Sequence, residues 1–540
     1  MEFRGRSVDD AGGYCHATGR RDERMNGLAI LTMRDVWKNA VGKWPSKAAA
    51  IWEDGGHSYR EIDEQSGRLA WRLAKDFGVA KGERVAILSG NTPAFYMTYW
   101  AVMKLGAVLV PINTRLRPEV MAYVVDNAEP ACLICDREQR EALELFLGGV
   151  AKKPGVVTVG YERAGAATFE SLVEGGGGTV SEAELGEGDL AAIVYTSGTT
   201  GKPKGAMIRH GNLLYNIRNT IIAHSFRHED VHMLVVPLFH CTGLNSIITT
   251  SAYLGGTVVI APRANVGELV PMIARHRVTT FLGVPTLLYF VCAMKGLGKH
   301  DTTSLRVIGY SGSPMPMATI RKLREKFPGV LLHNFFGLTE TVSITNVLPS
   351  CDALRCADSV GPALPDIGMK VIDEQGEELP RGQVGELCFH RSNVIDGYWR
   401  QEGLLEESMT GEWFHSGDYA VIAEDGYVYV KGRKKDMIIV AGENVYATEV
   451  ESALLGHEKV LEAAVVGVEA TGARTYMGEA VSAFVVTRPG EELTANELKR
   501  FCTERLASYQ VPQFIQFVKE LPRNPSGKVL KNELRERSQR

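Results

Sequence analysis

The eleven residues Tyr195-Thr-Ser-Gly-Thr-Thr-Gly-Lys-Pro-Lys-Gly205 constrain this chain more than any other stretch. They follow the apolar run Leu190-Ala-Ala-Ile-Val194. A short apolar run closed by Gly, Ser and Thr predicts a buried strand that opens into a loop. The glycines let backbone N–H groups come close to an anion, and the hydroxyls and lysines add further donors. A polyphosphate is what such a loop suits.

The spacing separates this loop from two better-known designs. A Walker loop needs four residues between its glycines and a Ser or Thr after its lysine, because that hydroxyl holds magnesium. Here Gly198 and Gly201 are separated by two residues, and Lys202 is followed by Pro203. Proline carries no N–H, so the loop cannot continue through it as a donor-rich helix start. A dinucleotide fingerprint, G-x-G-x-x-G after a strand, is not found elsewhere in the chain.

At 540 residues the chain is too long for one ordinary core, so at least two domains are expected. From Thr32 to about Gly188 helical and strand-like runs alternate: Glu61 to Phe77, Arg84 to Leu88, Pro93 to Leu105, Ala107 to Val110. That alternation predicts layered α/β subdomains with largely parallel pairing. Gly175 to Gly178 reads as a flexible connection within this unit. After Asp366 short strands divided by turns predict a small β-rich unit. A charged joint, Gly432-Arg-Lys-Lys-Asp436, then leads to a compact α+β domain. The expected division is a disordered extension over 1–24, a large domain over 25–432, a hinge at 433–436 and a small mobile domain over 437–540. Met25 is an alternative start, and a chain beginning there is expected to keep its activity.

The near balance of 60 basic and 64 acidic residues gives no electrostatic footprint for nucleic acid. No apolar stretch is long enough to span a bilayer, and the first two dozen residues lack the apolar segment of a signal peptide. Nine scattered cysteines suit a reducing cytoplasm. Cys132 and Cys135 have metal-like spacing, but the run Ala131 to Cys135 reads as a strand, which sends residues three apart to opposite faces. His224, His228 and His232 recur every four residues. The run Val231 to Pro237 looks like a strand, so these read as solvated histidines rather than a zinc site.

In this order along the chain, the loop is joined by Pro237-Leu-Phe-His240, Gly283-Val-Pro-Thr286, Phe336-Gly-Leu-Thr-Glu340, Phe414-His-Ser-Gly-Asp418, Gly432-Arg-Lys-Lys-Asp436, Gly442-Glu-Asn444 and Pro522-Arg-Asn-Pro-Ser-Gly-Lys528. With these motifs the chain resembles the AMP-forming acyl-CoA synthetases of the adenylate-forming enzymes. The resemblance runs from about Thr32 to Lys531. It implies that a carboxylate and ATP give an acyl-adenylate and pyrophosphate, after which coenzyme A displaces AMP to form a thioester.

By the same resemblance, Thr196, Ser197, Gly198, Thr199, Thr200, Gly201, Lys202 and Lys204 would grip the β- and γ-phosphates. Glu340, assisted by Thr196, would ligate Mg2+, a hard ion that prefers oxygen. Thr339 would donate to the α-phosphate. Ser311, Gly312, Ser313, Asn334, Phe335, Phe336, Gly337 and Leu338 fall at AMP-site positions, with Phe336 stacking on adenine and Asn334 bonding its amino group. Asp418 would accept from the ribose hydroxyls. Arg433 would contact ribose or phosphate, and Lys528 would reach the α-phosphate and the substrate carboxylate. Lys435 lies at the hinge position, and Gly442, Glu443 and Asn444 would meet the coenzyme A arm after a swing of the small domain.

The acid pocket would take His240, Gly243, Gly283, Gly312 and Gly337, with His240 also near the chemistry. Amino-acid-activating relatives carry an aspartate near the His240 position. Without such an anion a buried ammonium is costly, which argues for an acid lacking an α-amine. The resulting expectation is a ligase for medium- or long-chain fatty acids. Open beside it are an aryl or alicyclic acid, a carrier protein in place of coenzyme A, a luciferase-like oxygenase and a non-catalytic ATP-binding relative. Peripheral membrane contact and a homodimer are compatible with the sequence.

Overall fold

The computed structural model describes residues 30–53, 55–180, 182–196, 202–470, 478–523 and 528–538. The expected extension over 1–24 and loop residues Ser197 to Gly201 lie outside the described residues.

Local signals set the helix ends. Thr92 caps the helix Pro93–Leu105 through its Oγ1, proline takes the first position, and Gly106 closes it in the left-handed region at φ 66°. Ser58 and Glu61 form a reciprocal cap on Tyr59–Phe77. These two helices pack on each other and cover one face of a seven-stranded sheet. In spatial order its strands are Ala167–Thr168, Gly155–Val159, Cys132–Asp136, Arg84–Leu88, Val108–Pro111, Leu190–Thr196 and Lys204–Arg209. All pairs are parallel except the last, where Leu190–Thr196 turns back antiparallel onto Lys204–Arg209.

A second sheet has eight strands: Asn346–Leu348, Leu331–Phe336, Val307–Tyr310, Thr280–Gly283, Val231–Leu234, Thr257–Ile260, Ala48–Trp52 and Gly55–Ser58. Its interior is parallel and both edge pairs are antiparallel. The interior strands are apolar on both faces, as a helix-covered parallel sheet requires. A five-stranded antiparallel sheet follows, containing Val384–His390, Trp413–Ile422 and Val428–Arg433. Beyond the short helical turn Lys434–Asp436 come the hairpin Ile438–Val440 with Glu443–Val445 and a three-stranded sheet covered by helices. The layered α/β architecture with a β-rich unit and an α+β terminal region is the one the sequence predicts.

Two expectations change. His224 and His232 are each only 1% exposed, not solvated. The helix His210–His224 ends against the second sheet, and His232 lies on a central strand of it. His228 alone of the three is exposed. The glycines at 175–178 are more than a flexible link. A Cβ at Gly178 would stand 2.3 Å from Trp71 Nε1, and one at Gly177 would stand 2.8 Å from Arg68 Cγ, so close packing demands glycine there.

Candidate active site

Four neighbouring parallel strands of the second sheet deliver most of the candidate residues from their carboxyl ends. Val231–Leu234 leads to His240, and Thr280–Gly283 ends on Gly283. Val307–Tyr310 leads to Ser311, Gly312 and Ser313, and Leu331–Phe336 leads to Gly337, Leu338, Thr339 and Glu340. In open α/β sheets this edge is where ligands bind.

The strand Leu331–Phe336 alternates its side chains. Asn334 is buried and donates its Nδ2 to the Ser359 carbonyl at 2.8 Å, which fixes the amide. Phe335 is buried against the ring of His224, and Phe336 is half-buried. The turn after it holds Glu340 half-exposed, and no helix begins there. That turn is held in an unusual backbone. Val342 is buried with φ 68°, a conformation a β-branched residue rarely adopts. Asn245 Nδ2 donates to the Val342 carbonyl at 2.8 Å and Ser246 Oγ bonds Ser343 Oγ at 2.9 Å. Both come from the π-helical turn Thr242–Ile248 that follows His240. Such turns are frequent at functional sites.

Lys528 comes from the far end of the chain and meets this turn. Its ammonium feels Arg433, Asp418, Glu340 and Cys241. Crowding by protein pulls its pKa below the usual lysine value, Arg433 adds to that, and the two carboxylates oppose it. The side chain nevertheless keeps access to solvent, so it lies in an open cleft rather than in a dry core. Asp418 is 4% exposed and pairs with Arg433 Nε at 2.9 Å, the two being cross-strand partners. Burial raises the Asp418 carboxyl, while Arg433 and Lys528 hold it down.

His240 Nδ1 lies 3.7 Å from Cys241 Sγ. Burial pushes the Cys241 thiol up, but His240, with Thr339 as a second partner, outweighs it and holds the thiol below its ordinary value. Burial lowers His240, and the thiol outweighs that in turn, leaving the imidazole raised.

Thr196 and Lys204 are cross-strand partners at the mouth of the glycine-rich loop. Lys204 Nζ sits 5.2 Å from the centre of the Tyr398 ring, and Lys202 Nζ lies 5.2 Å from that of Tyr123. Tyr398 donates its hydroxyl to Glu340 Oε1 at 3.0 Å. Sequence reasoning missed Tyr398, since the aromatic pair after Asp396-Gly397 reads as ordinary core. Among the described residues no three His, Cys, Asp or Glu side chains converge as a metal cage. One half-exposed carboxylate with a nearby hydroxyl strand suits a magnesium ion that arrives on a polyphosphate and keeps its own waters.

At two of the candidate pocket positions backbone packing itself requires glycine. A Cβ on Gly337 would stand 1.5 Å from the Ser343 carbonyl oxygen, and one on Gly243 would stand 2.6 Å from that of Pro237. Backbone packing therefore excludes any side chain at both. Gly283 and Gly312 meet only ordinary contacts, at 3.5 Å and 3.9 Å. Lys435 is exposed within the turn Lys434–Asp436, and Gly442, Glu443 and Asn444 form the exposed tip of a hairpin, with Gly442 at φ 87°.

The AMP-binding enzyme family matches residues 37–399, and the AMP-binding enzyme C-terminal domain matches 449–528. The chain is 32% identical over 508 residues to a feruloyl-CoA synthase of Amycolatopsis sp, covering 92% of this chain and 99% of that protein. It is also 32% identical, over 479 residues, to the long-chain-fatty-acid–CoA ligase FadD13 of Mycobacterium tuberculosis, covering 89% and 92%. The crystal structure of ATP-bound MatB from Rhodopseudomonas palustris superposes with a TM-score of 0.83 at 30% identity, covering 94% of this chain and 99% of that one. Two family matches in their proper order, and relatives aligned over nearly their whole length, place the chain in the AMP-binding enzyme family, among its AMP-forming acid–thiol ligases of the acyl-CoA synthetase type.

Proposed function

We propose that this enzyme activates a medium- or long-chain fatty acid with ATP and passes the acyl group from its adenylate to coenzyme A. One observation carries the reading: Lys528 stands among Glu340, Asp418 and Arg433 and beside the His240–Cys241 pair. An ammonium among two carboxylates and a guanidinium, at the carboxyl edge of a parallel sheet, suits a reaction in which two anions must be brought together.

A carboxylate oxygen attacks the α-phosphorus and pyrophosphate leaves. Catalysis of such a step is positioning and charge neutralisation. Lys528 offsets the charge of the acid and the α-phosphate. Thr339 donates to the α-phosphate, and Lys204 and Lys202 hold the departing pyrophosphate. Asp418, freed from part of its pairing with Arg433, accepts from the ribose. Asn334, its Nδ2 occupied by Ser359, keeps its Oδ1 to accept from the adenine amino group, and Phe336 offers a stacking face. Bound magnesium would neutralise phosphate charge at Glu340.

The neighbourhood of His240 holds a thiol where an α-ammonium would need a carboxylate, and the π-helical turn that follows is apolar at Leu244, Ile247 and Ile248, which pack into the core. This supports an alkyl acid without an amine. A second reading, an aryl acid, draws on the equal identity of the feruloyl-CoA synthase. Pyrophosphate release across a panel of alkyl, aryl and amino acids, with and without coenzyme A, tests both. Alkyl acids of eight or more carbons should be turned over fastest, with thioester formed only when coenzyme A is present. Faster turnover of cinnamate-type acids selects the second reading, and no release with any carboxylate removes both.

A further inference from the structure

The segment from Ile395 to Arg400 crosses between the phosphate hairpin and the Glu340 turn. Ile395 N–H donates to the Glu340 carbonyl at 2.8 Å. Met207 N–H donates to the Gly397 carbonyl at 3.2 Å, and Trp399 N–H to that of Gly205 at 2.7 Å. Ala206 and Tyr398 pair as an antiparallel bridge. The segment thus adds a short edge to Lys204–Arg209, the strand that leaves the phosphate loop. Its far end is pinned by Trp399 Nε1 to the Asn127 carbonyl at 3.1 Å and by Arg400 to Glu129 at 2.5 Å.

These main-chain bonds hold the segment in place without any help from the Tyr398 side chain. That side chain is 6% exposed and makes two contacts of a different kind. Its hydroxyl donates to Glu340 Oε1 at 3.0 Å, and its ring lies under Lys204 Nζ at 5.2 Å. A phenol donating to an ionised carboxylate is a charge-assisted bond, strong enough to choose among carboxylate orientations. With Oε1 occupied, Oε2 is the oxygen left for another partner. The ring ties the same tyrosine to the lysine that is paired with Thr196 across the hairpin.

We propose that Tyr398 is a positioning residue that presets Glu340 toward the divalent metal of incoming ATP and links that carboxylate to the phosphate hairpin through Lys204. The inference rests on reading Glu340 as the metal-facing carboxylate. It adds a distinct claim: the hydroxyl governs metal dependence, and the ring governs the grip on phosphate.

Calorimetric binding of ATP to the full chain, from excess chelator to millimolar free Mg2+, separates these claims. Tyr398→Phe keeps the ring and loses the hydroxyl. It should raise the free Mg2+ that gives half of the metal-dependent gain in ATP affinity by about three- to ten-fold, the net contribution of one intramolecular hydrogen bond. Its affinity for metal-free ATP should match the wild type. Tyr398→Leu should in addition weaken metal-free ATP binding by about two- to five-fold through Lys204. A Tyr398→Phe protein with unchanged Mg2+ dependence overturns the proposal, and so does one that binds ATP equally more weakly with and without metal. Glu340→Gln distinguishes the two levels. If it abolishes the metal-dependent gain while Tyr398→Phe leaves it intact, only the positioning claim falls. If it leaves the gain intact, the underlying reading of Glu340 falls with it.

Discussion

Around Lys528 the balance of single charges decides what one side chain can do. Asp418 and Glu340 draw a proton onto its amine, while crowding and Arg433 push it off. Solvent access keeps the ammonium able to move between partners. Lys528→Ala removes the only one of these groups that comes from beyond residue 500. Pyrophosphate release should fall by about 10²–10³-fold, the usual cost of losing a preorganised transition-state donor. Thioester formation from coenzyme A and supplied acyl-adenylate should persist. Parallel loss of both half-reactions, measured separately, would sink this assignment. Residues of this kind are legible in sequence because each stands in a distinctive local string. Gly243 and Gly337 stand in equally distinctive strings, but those strings do not reveal the backbone carbonyl that crowds each of them. Glycine serves an open pocket and a close backbone contact alike, and only the distance to Pro237 or Ser343 tells the two apart. Tyr398 carried no signal of its own, because its partners are 58 and 194 residues away in sequence.

At the scale of elements, the alternation of helical and strand-like runs foretold the helix Pro93–Leu105 and the strand Arg84–Leu88. Sheet order is different. It depends on which strands meet, and that is where the histidines were misjudged. The helix His210–His224 and the strands Val231–Leu234 and Leu331–Phe336 enclose His224, His232 and His333. His224 Nδ1 lies 3.4 Å from His333 Nδ1, and His232 Nδ1 lies 2.7 Å from Thr280 Oγ1. Burial drives all three pKa values down, with Arg306 contributing, and Asp230 pulling only His232 back up. His232 and His333 reach about 4 from an ordinary 6.5. Between those values the unfolded chain binds more protons than the native one. Stability is therefore fully present above pH 6.5 and is lost as pH falls toward 4, by at most about 3 kcal/mol for each of these two histidines. Thermal unfolding should show a melting temperature that drops across this window, with a shallower drop in His232→Gln. A melting temperature that is flat from pH 7 to 5 would refute the buried cluster as the cause of acid sensitivity.

For the whole molecule, the turn Lys434–Asp436 lies between two ionic anchors. Lys434 Nζ bonds Glu386 Oε2 at 3.0 Å on the β-rich sheet, and Asp436 Oδ1 accepts from Arg535 at 2.8 Å on the last helix. Lys431 meets Glu449 at 2.7 Å, and Arg488 lies over the Tyr289 ring at 4.6 Å. Partly exposed contacts of this kind are individually weak, so together they can hold one arrangement and still release it. In this arrangement Lys528 is at the cleft while the tip Gly442 to Asn444 is exposed to solvent. Our reading is that adenylation uses this arrangement and that thioester formation needs rotation at Lys435, a change of backbone angles at very few residues. Proline is tolerated in the first turn of a helix and fixes φ near −65°, a value that a 3₁₀ turn already uses. Lys435→Pro should therefore preserve the arrangement described and block its alternative. Pyrophosphate release in a single turnover should stay within about threefold of wild type, roughly the spread of a neutral change, while thioester formation is abolished. Steady-state turnover should then stop after one equivalent of pyrophosphate, with the acyl-adenylate retained on the protein. Equal loss of both half-reactions, or thioester formation at the normal rate, would show that the swing does not turn on Lys435.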